Sequence, residues 1–325
     1  MTTVRIGTRG SALALAQTRQ VADSLARASG LDVELVTITT HGDTTSESLS
    51  QLGGTGVFTG ALREALLNDE IDVAVHSLKD LPTAEHPDLV LAAVPKRADA
   101  RDVLCARDGL TLDDLAAGAR IGTGSPRRIA QVRSRRPDLT VVDIRGNIDT
   151  RLGRVFDDVD DDRRLDAIVL AAAGLGRLGR ADAATQHLEL SDWPTAPGQG
   201  ALALETRRAK DASQQGRALA KALNAVNHAT TRAVVAAERG VLAGLEAGCA
   251  APLGTTALVE DGLLFLTATV YQPDGTRRLT SSHAVSLEGN GQAALLEAAQ
   301  DAARRVVDEL FESGAADLAP LGGAA

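Results

Sequence analysis

Lys79 and Asp80 close the segment Ile71-Asp72-Val73-Ala74-Val75-His76-Ser77-Leu78-Lys79-Asp80-Leu81-Pro82, in which a β-branched apolar run delivers two adjacent charges just before a proline. The run predicts a buried strand from Ile71 to Val75, and Pro82 stops the ladder soon after Asp80. The charged pair therefore belongs at the carboxyl end of a parallel-type strand, the edge at which open α/β sheets bind ligands. Arginines gather at similar positions. Arg9 follows the first strand, Arg127 and Arg128 open a helix after Gly122-Thr123-Gly124-Ser125-Pro126, Arg145 and Arg151 flank a turn at Gly146-Asn147, and Arg177 ends Gly174-Leu175-Gly176-Arg177. Guanidinium binds carboxylate bidentately, so arginines at strand ends and helix starts point to a ligand with several carboxylates. The last reactive group is a thiol. Cys249 lies in Leu245-Glu246-Ala247-Gly248-Cys249-Ala250-Ala251-Pro252, a small-residue loop, whereas Cys105 in Val103-Leu104-Cys105-Ala106 reads as a strand residue facing a core.

The elements that must position these groups follow from periodicity. A short strand at Val4–Ile6, the turn Gly7-Thr8-Arg9-Gly10-Ser11, a helix over 12–28 capped by Ser11, and a strand over 31–38 make a β-α-β unit. Residues 41–56 are polar and glycine-rich and read as a lid loop. A helix over 59–68, the strand carrying Lys79 and Asp80, and a strand over 89–94 complete the first domain. The second repeats the logic, with strands at 103–106, 120–122, 140–144 and 165–170 and a helix at 126–135. A strand at 201–205 returns to the first domain. Helices over 215–245, strands at 254–260, 263–271 and 283–287, and a last helix over 292–313 form a smaller tail. The expected fold is α/β, two doubly wound domains flanking a cleft in the manner of periplasmic binding proteins, plus a smaller α/β C-terminal domain. Its expected boundaries are 1–96 with 197–216, then 97–196, then 217–325.

Composition narrows the function. At 325 residues the chain is long enough for two or three cores, and 44% hydrophobic residues can fill them. Aromatic residues make up only 2%, too few for stacking on single-stranded nucleic acid. No apolar run reaches the length of a bilayer span and no signal-peptide layout opens the chain, so neither nucleic acid nor membrane is an expected partner and the expected location is cytoplasmic. Two cysteines make no disulfide framework or metal cage. Net charge is −9, yet lysine occurs only at 79, 96, 210 and 221, leaving arginine as the dominant cation. Gly122 and Gly124 with Asp143 suggest a dinucleotide fingerprint, but Arg127 stands where its third glycine belongs. A hinged, non-catalytic receptor for a polycarboxylate metabolite explains the fold and the arginines. It does not explain Asp80 among them, because a carboxylate opposes anion binding.

In combination, Gly7-Thr8-Arg9-Gly10-Ser11, Val75 to Pro82, Ser125 to Arg128, Arg145-Gly146-Asn147, Thr150-Arg151-Leu152, Ala173-Gly174-Leu175, Pro197-Gly198-Gln199-Gly200-Ala201 and Gly248-Cys249 resemble the porphobilinogen deaminase, or hydroxymethylbilane synthase, family along essentially the whole chain. The resemblance implies a monomeric three-domain transferase. It would join four porphobilinogen molecules head to tail with release of ammonia, on a covalent dipyrromethane cofactor, before water releases the linear tetrapyrrole. It implies that Cys249 carries the cofactor through a thioether. It gives Asp80 the catalytic role, assisting proton movement at the pyrrole nitrogens and stabilising the cation formed as ammonia leaves. Each pyrrole bears an acetate and a propionate, so Lys79, Arg127, Arg128 and Ser125 are expected on the cofactor. Arg9, Ser11, Arg145, Arg151 and Arg177 are expected on the substrate, with Phe58 packing over bound pyrroles. The family commonly has basic residues where this chain has Gln51 and Thr55, and often Ser and Leu where it has Gly124 and Pro126.

Overall fold

The structure, a computed structural model, describes residues 3–39, 59–208, 213–247, 251–289, 291–319 and 321. In chain order its elements begin with β1 (Val4–Arg9), α1 (Ala12–Ser29), β2 (Val33–Ile38), α2 (Gly60–Leu67), β3 (Val73–Ser77) and β4 (Leu89–Ala93). They continue with β5 (Asp102–Ala106), β6 (Arg120–Gly122), α3 (Pro126–Arg135), β7 (Thr140–Val142), α4 (Ile148–Phe156), β8 (Ala167–Ala171), α5 (Ala172–Arg177) and β9 (Gln186–Leu188). The remainder is β10 (Leu202–Arg207), α6 (Gln214–Val226), α7 (Ala229–Gly244), β11 (Leu253–Glu260), β12 (Leu263–Tyr271), β13 (Arg278–Ser286) and α8 (Gln292–Glu312). Two compact units result, Met1–Ala98 with Ala201–Val235, and Asp99–Gly200 with Ala236–Ala325.

The first unit is built on a five-stranded sheet of order β2-β1-β3-β10-β4. β1 runs parallel to β2 and β3, while β10 returns antiparallel between β3 and β4. Both faces are apolar, as a covered parallel sheet requires. Val4, Ile6, Val73, Val75 and Leu204 pack with Val21 and Leu25 of α1 on one side, and Ala74 joins Leu62, Leu66 and Ile71 on the other. Ser11 caps α1 by accepting a hydrogen bond from the Ala14 amide at 3.3 Å, and Gly30 ends the helix at φ 68°, each in the role its chemistry favours. A Cβ on Gly7 would overlap Ile71. The expected third domain begins at 217, inside α6, yet Ala222 and Leu223 of that helix are buried in the first-sheet core. The apolar face of α6 thus belongs to the first unit, which runs on to Val235 within α7.

The second unit holds two sheets. The larger has order β7-β6-β8-β5-β9, with β6 parallel to β7 and β8 and with β5 antiparallel to both its neighbours. Val132 of α3 lies in the core on one face, and Leu152, Val155 and Leu175 of α4 and α5 lie on the other. The smaller sheet is the antiparallel meander β11-β12-β13, whose buried Leu264, Leu266, Ala268 and Val270 alternate along β12. α8 presents Leu295, Ala299, Ala302 and Val306 as its buried stripe. A Cβ on Gly240 of α7 would stand 2.7 Å from the Cβ of Ala303, so small residues allow α7 and α8 to approach closely. Among the described residues no helix is long and apolar enough to cross a membrane.

Cys105 is fully buried in β5, and burial pushes its thiol up to about 12 against a weaker lowering by Arg128. Because the thiolate is the reactive form, native protein at pH 8 is expected to leave Cys105 unlabelled by iodoacetamide, with labelling appearing only after denaturation. Peptide mapping of the alkylated protein checks this.

Candidate functional site

On the first sheet, β1 and β3 run side by side and in the same direction, so the residues after them share one edge. Arg9 is the last residue of β1 and Ser11 the first cap of α1. Beyond β3 the chain tightens into a single 3₁₀ turn, Leu78–Asp80. That turn is held at both ends: the Leu78 amide donates to Ala201 O at 3.0 Å and the Leu81 amide to Leu78 O at 3.2 Å. Lys79 and Asp80 are half-buried on it. The strand expected over Ile71 to Val75 thus runs over Val73–Ser77, and the turn that follows fixes the backbone of Asp80.

Behind this edge lies a buried ionic group. Arg63 of α2 grips Glu205 of β10 with Nε to Oε2 at 3.0 Å and Nη2 to Oε1 at 2.8 Å. The Nε2 atom of His76, four residues before Asp80, lies 3.2 Å from Glu205 Oε2. Burial opposes ionisation of Glu205, but the close approach of His76 and the two hydrogen bonds from Arg63 outweigh it and hold the carboxyl below the ordinary value of 4.5. His76 of β3 thus lies against Glu205 of β10, beside the ladder that joins the two strands.

On the second sheet, β7, β6 and β8 are adjacent and parallel, and their carboxyl ends feed the segments carrying Ser125, Arg127, Arg128, Arg145, Arg151 and Arg177. Ser125 precedes α3, with Pro126 in its first turn. Gly124 is required by proximity, since a Cβ there would stand 2.6 Å from Ile144 O; the turn carrying Ser125 lies directly against the strand exit that carries Arg145. Asn147 caps α4 by accepting from the Thr150 amide at 2.8 Å, and Arg151 in the first turn of that helix donates to Gly146 O at 2.8 Å. Arg177 ends α5 rather than opening a helix, and its Nη2 donates to Gly200 O at 2.8 Å.

Arg127 and Arg128 are expected from sequence to meet an anion at the helix start. The first anion each meets is Asp102, a fully buried carboxylate at the head of β5. Its Oδ2 accepts from Arg127 Nη1 at 2.9 Å, Arg128 Nε at 3.1 Å and Trp193 Nε1 at 3.0 Å. Its Oδ1 accepts from Arg128 Nη2 at 2.6 Å and Gln199 Nε2 at 2.8 Å. Burial alone would raise its pKa, but the two guanidiniums overcome that and hold the group far below the carboxylate range. Arg128 Nη1 also donates to Val169 O at 3.0 Å. Arg127 Nε, by contrast, is buried with no hydrogen-bond partner, as is Arg177 Nε.

Further out the positive charges crowd one another. Burial, then Arg128, then Arg145 lower Arg151 to about 10, opposed only by Asp143. Cations held together against their own repulsion form a site for an anion.

The smaller sheet is docked on the same helix. Gln131 of α3 accepts from Arg127 Nη1 at 2.7 Å and donates to Pro194 O at 2.8 Å and to Tyr271 Oη at 3.4 Å. The β12–β13 turn reaches α3 through Gly275, where a Cβ would stand 2.6 Å from the Ser134 amide nitrogen. Buried Glu238 of α7 accepts from the Gly198 amide at 2.8 Å and from the Ala257 amide at 3.2 Å. The chain's one Trp and one Tyr both belong to this network.

Asp102, Gln131, Trp193 and Glu205 carry no role in the sequence reading. A buried acid at the head of an otherwise apolar strand, and a lone Trp in an aromatic-poor chain, were the available signals. Cys249, Phe58, Gln51 and Thr55 lie outside the described residues, as does the whole glycine-rich segment 41–56 expected as a lid.

Comparison with known proteins is consistent along the chain. Residues 4–215 match the family model described as porphobilinogen deaminase, dipyromethane cofactor binding domain, and residues 233–305 match porphobilinogen deaminase, C-terminal domain. A porphobilinogen deaminase of Leifsonia xyli subsp. xyli is 66% identical over 321 residues, covering 98% of this chain and 95% of the relative. One from Cutibacterium acnes is 50% identical, covering 99% and 98%, and one from Thermobifida fusca is 49% identical, covering 97% and 95%. Among solved structures, a methionine-binding protein matches 68% of this chain and 89% of its own at 14% identity and a TM-score of 0.42.

Glu205→Gln removes the buried carboxylate that Arg63 grips and is expected to cost about 3 kcal/mol of stability at pH 7. A depressed carboxylate contributes stability above its unfolded pKa and loses it as pH falls through the folded one. The gap between parent and variant should therefore be full at pH 7 and close below about pH 4.5, as urea melts at the two pH values will measure.

Proposed function

The chain belongs to the porphobilinogen deaminase family, and from that footing we propose how its own residues carry the reaction. The activity is that of a hydroxymethylbilane synthase, a transferase of tetrapyrrole biosynthesis that condenses four porphobilinogen molecules head to tail with loss of ammonia and releases linear hydroxymethylbilane by hydrolysis. Its cofactor is dipyrromethane, which when bound supplies the pyrrole end to which the first substrate is joined. The residues present fit such a group. The unpartnered buried N–H donors of Arg127 and Arg177, and the crowding around Arg151, call for carboxylates, which acetate and propionate side chains provide. The non-catalytic receptor is set aside, because matches to both family domains together span most of the chain.

At each addition the aminomethyl C–N bond of porphobilinogen breaks, ammonia takes the electron pair, and the substrate is left with a positive charge spread over its pyrrole. Asp80 is placed to stabilise that cation and to hold the pyrrole N–H. Because the charge exists only along the reaction path, the carboxylate favours the transition state over the ground state. A new C–C bond then forms, and the displaced ring proton leaves. Lys79, Arg127, Arg128 and Ser125 take the cofactor's carboxylates. Arg9, Ser11, Arg145, Arg151 and Arg177 take those of the substrate, and Phe58 covers the rings. Cys249 holds the cofactor by thioether, in a third domain formed by the antiparallel sheet and its helices. A cytoplasmic monomer acting on a small molecule, with no nucleic acid or membrane partner, is the proposed working form.

The observation that supports the residue assignment lies within each sheet: the carboxyl ends of three adjacent parallel strands of the second sheet deliver the arginines, and those of two adjacent parallel strands of the first deliver Arg9 and Asp80. Asp80→Asn is expected to keep the covalent pyrrole mass and to lower kcat at least about 100-fold. Rapid-quench turnover beside intact mass spectrometry tests it; near-parental kcat would remove Asp80 from the chemistry.

A further inference from the structure

We propose that Asp102 is a positioning residue for this reaction, acting through Arg127 and Arg128 without touching a ligand itself. The inference rests on the reading of those arginines as carboxylate donors. Asp102 has no exposed surface, and its two oxygens already accept five hydrogen bonds, more than the four lone-pair directions a carboxylate offers. Nothing remains with which it could bind substrate.

What it does is fix direction. Arg128 has five N–H groups. Two are held by Asp102 and one by Val169 O, so one hydrogen on each Nη is left with its orientation set. Arg127 is held through Nη1 alone, by Asp102, Gln131 Oε1 and Pro194 O, which leaves its buried Nε donor without a partner. Trp193 and Gln199 anchor the carboxylate. Gln199 donates to Ala100 O as well as to Asp102, and so fastens the acid to its own strand.

Charge leads to the same role. Two guanidiniums and one carboxylate leave a net single positive charge, enough to attract an anion while preventing the two cations from swinging apart. A buried ion group of this kind is a poor way to gain stability, since apolar residues of similar volume serve as well or better. Its advantage is a defined donor geometry at the start of α3, which a carboxylate ligand needs.

The test is a double-mutant cycle on the holoenzyme with Asp102→Asn, Arg128→Gln and the pair together, read as the fraction of chains carrying covalent pyrrole mass and as kcat/KM. Each single substitution is expected to lower kcat/KM at least 50-fold or to deplete the cofactor to a similar degree. The double variant is expected to fall no more than threefold below Arg128→Gln. Losses that multiply, or an Asp102→Asn enzyme within threefold of parent, would overturn positioning. An Arg128→Gln enzyme at parental level would overturn the donor reading itself and positioning with it. Should Asp102→Asn fail to fold, Trp193→Phe removes one donor and leaves the carboxylate ionised. It is expected to lower the same readouts about fivefold in the parent and not at all beside Arg128→Gln, and an equal loss in both backgrounds would overturn the inference.

Discussion

A carboxylate with no access to water organises the arginine-bearing half of this protein. Asp102 begins β5, and the groups it gathers come from the start of α3, from Trp193 and from the turn at Gln199. An ionised acid in such surroundings is tolerable only because every acceptor direction is filled and two cations stand beside it. Removing any partner leaves the buried charge less well compensated, so each donor supports the others. The smaller sheet depends on the same centre, since Gln131 links Arg127 to Pro194 and Tyr271.

The segment that carries Asp80, the proposed catalytic carboxylate, follows a different constraint. Asp80 has to stand at a sheet edge, yet a strand that simply continued would carry it into a ladder. The 3₁₀ turn solves this, and Ala201 fixes it through the Leu78 amide. Ala201 follows Gly200, whose φ of 84° suits glycine and few other residues. The Pro197 to Ala201 motif therefore serves backbone geometry, with Gln199 supporting Asp102 and Ala201 supporting the Asp80 turn.

Much of this is legible in the sequence where local rules agree. α3 runs over Pro126–Arg135 as expected, because proline suits a first turn and the apolar positions repeat at helical spacing. Ser11 and Gly30 bracket α1 for equally local reasons. Local rules fail where packing decides. Ala172–Arg177 contains two glycines and no helix is expected there, but it is helical with Ala173, Gly174 and Leu175 buried. β9 is only three residues long and exists because β5 offers it a partner. The pairing of Asp102 with Arg127 and Arg128 links positions 25 and 26 residues apart and depends on the sheet bringing β5 beneath α3. Residue type and spacing locate the arginines; they do not show what already holds them.

The proposed assignment gives Asp80 the transient cation, the arginines the carboxylates of a pyrrole chain, and Cys249 the thioether that holds that chain. The most direct measurement is intact-protein mass spectrometry of the chain purified from a haem-producing host, with peptide mapping of any adduct. A mass excess equal to two linked pyrroles, mapped to Cys249, is the predicted result. An adduct on Cys105, or a chain that stays unmodified and cannot be loaded by incubation with porphobilinogen, would contradict it.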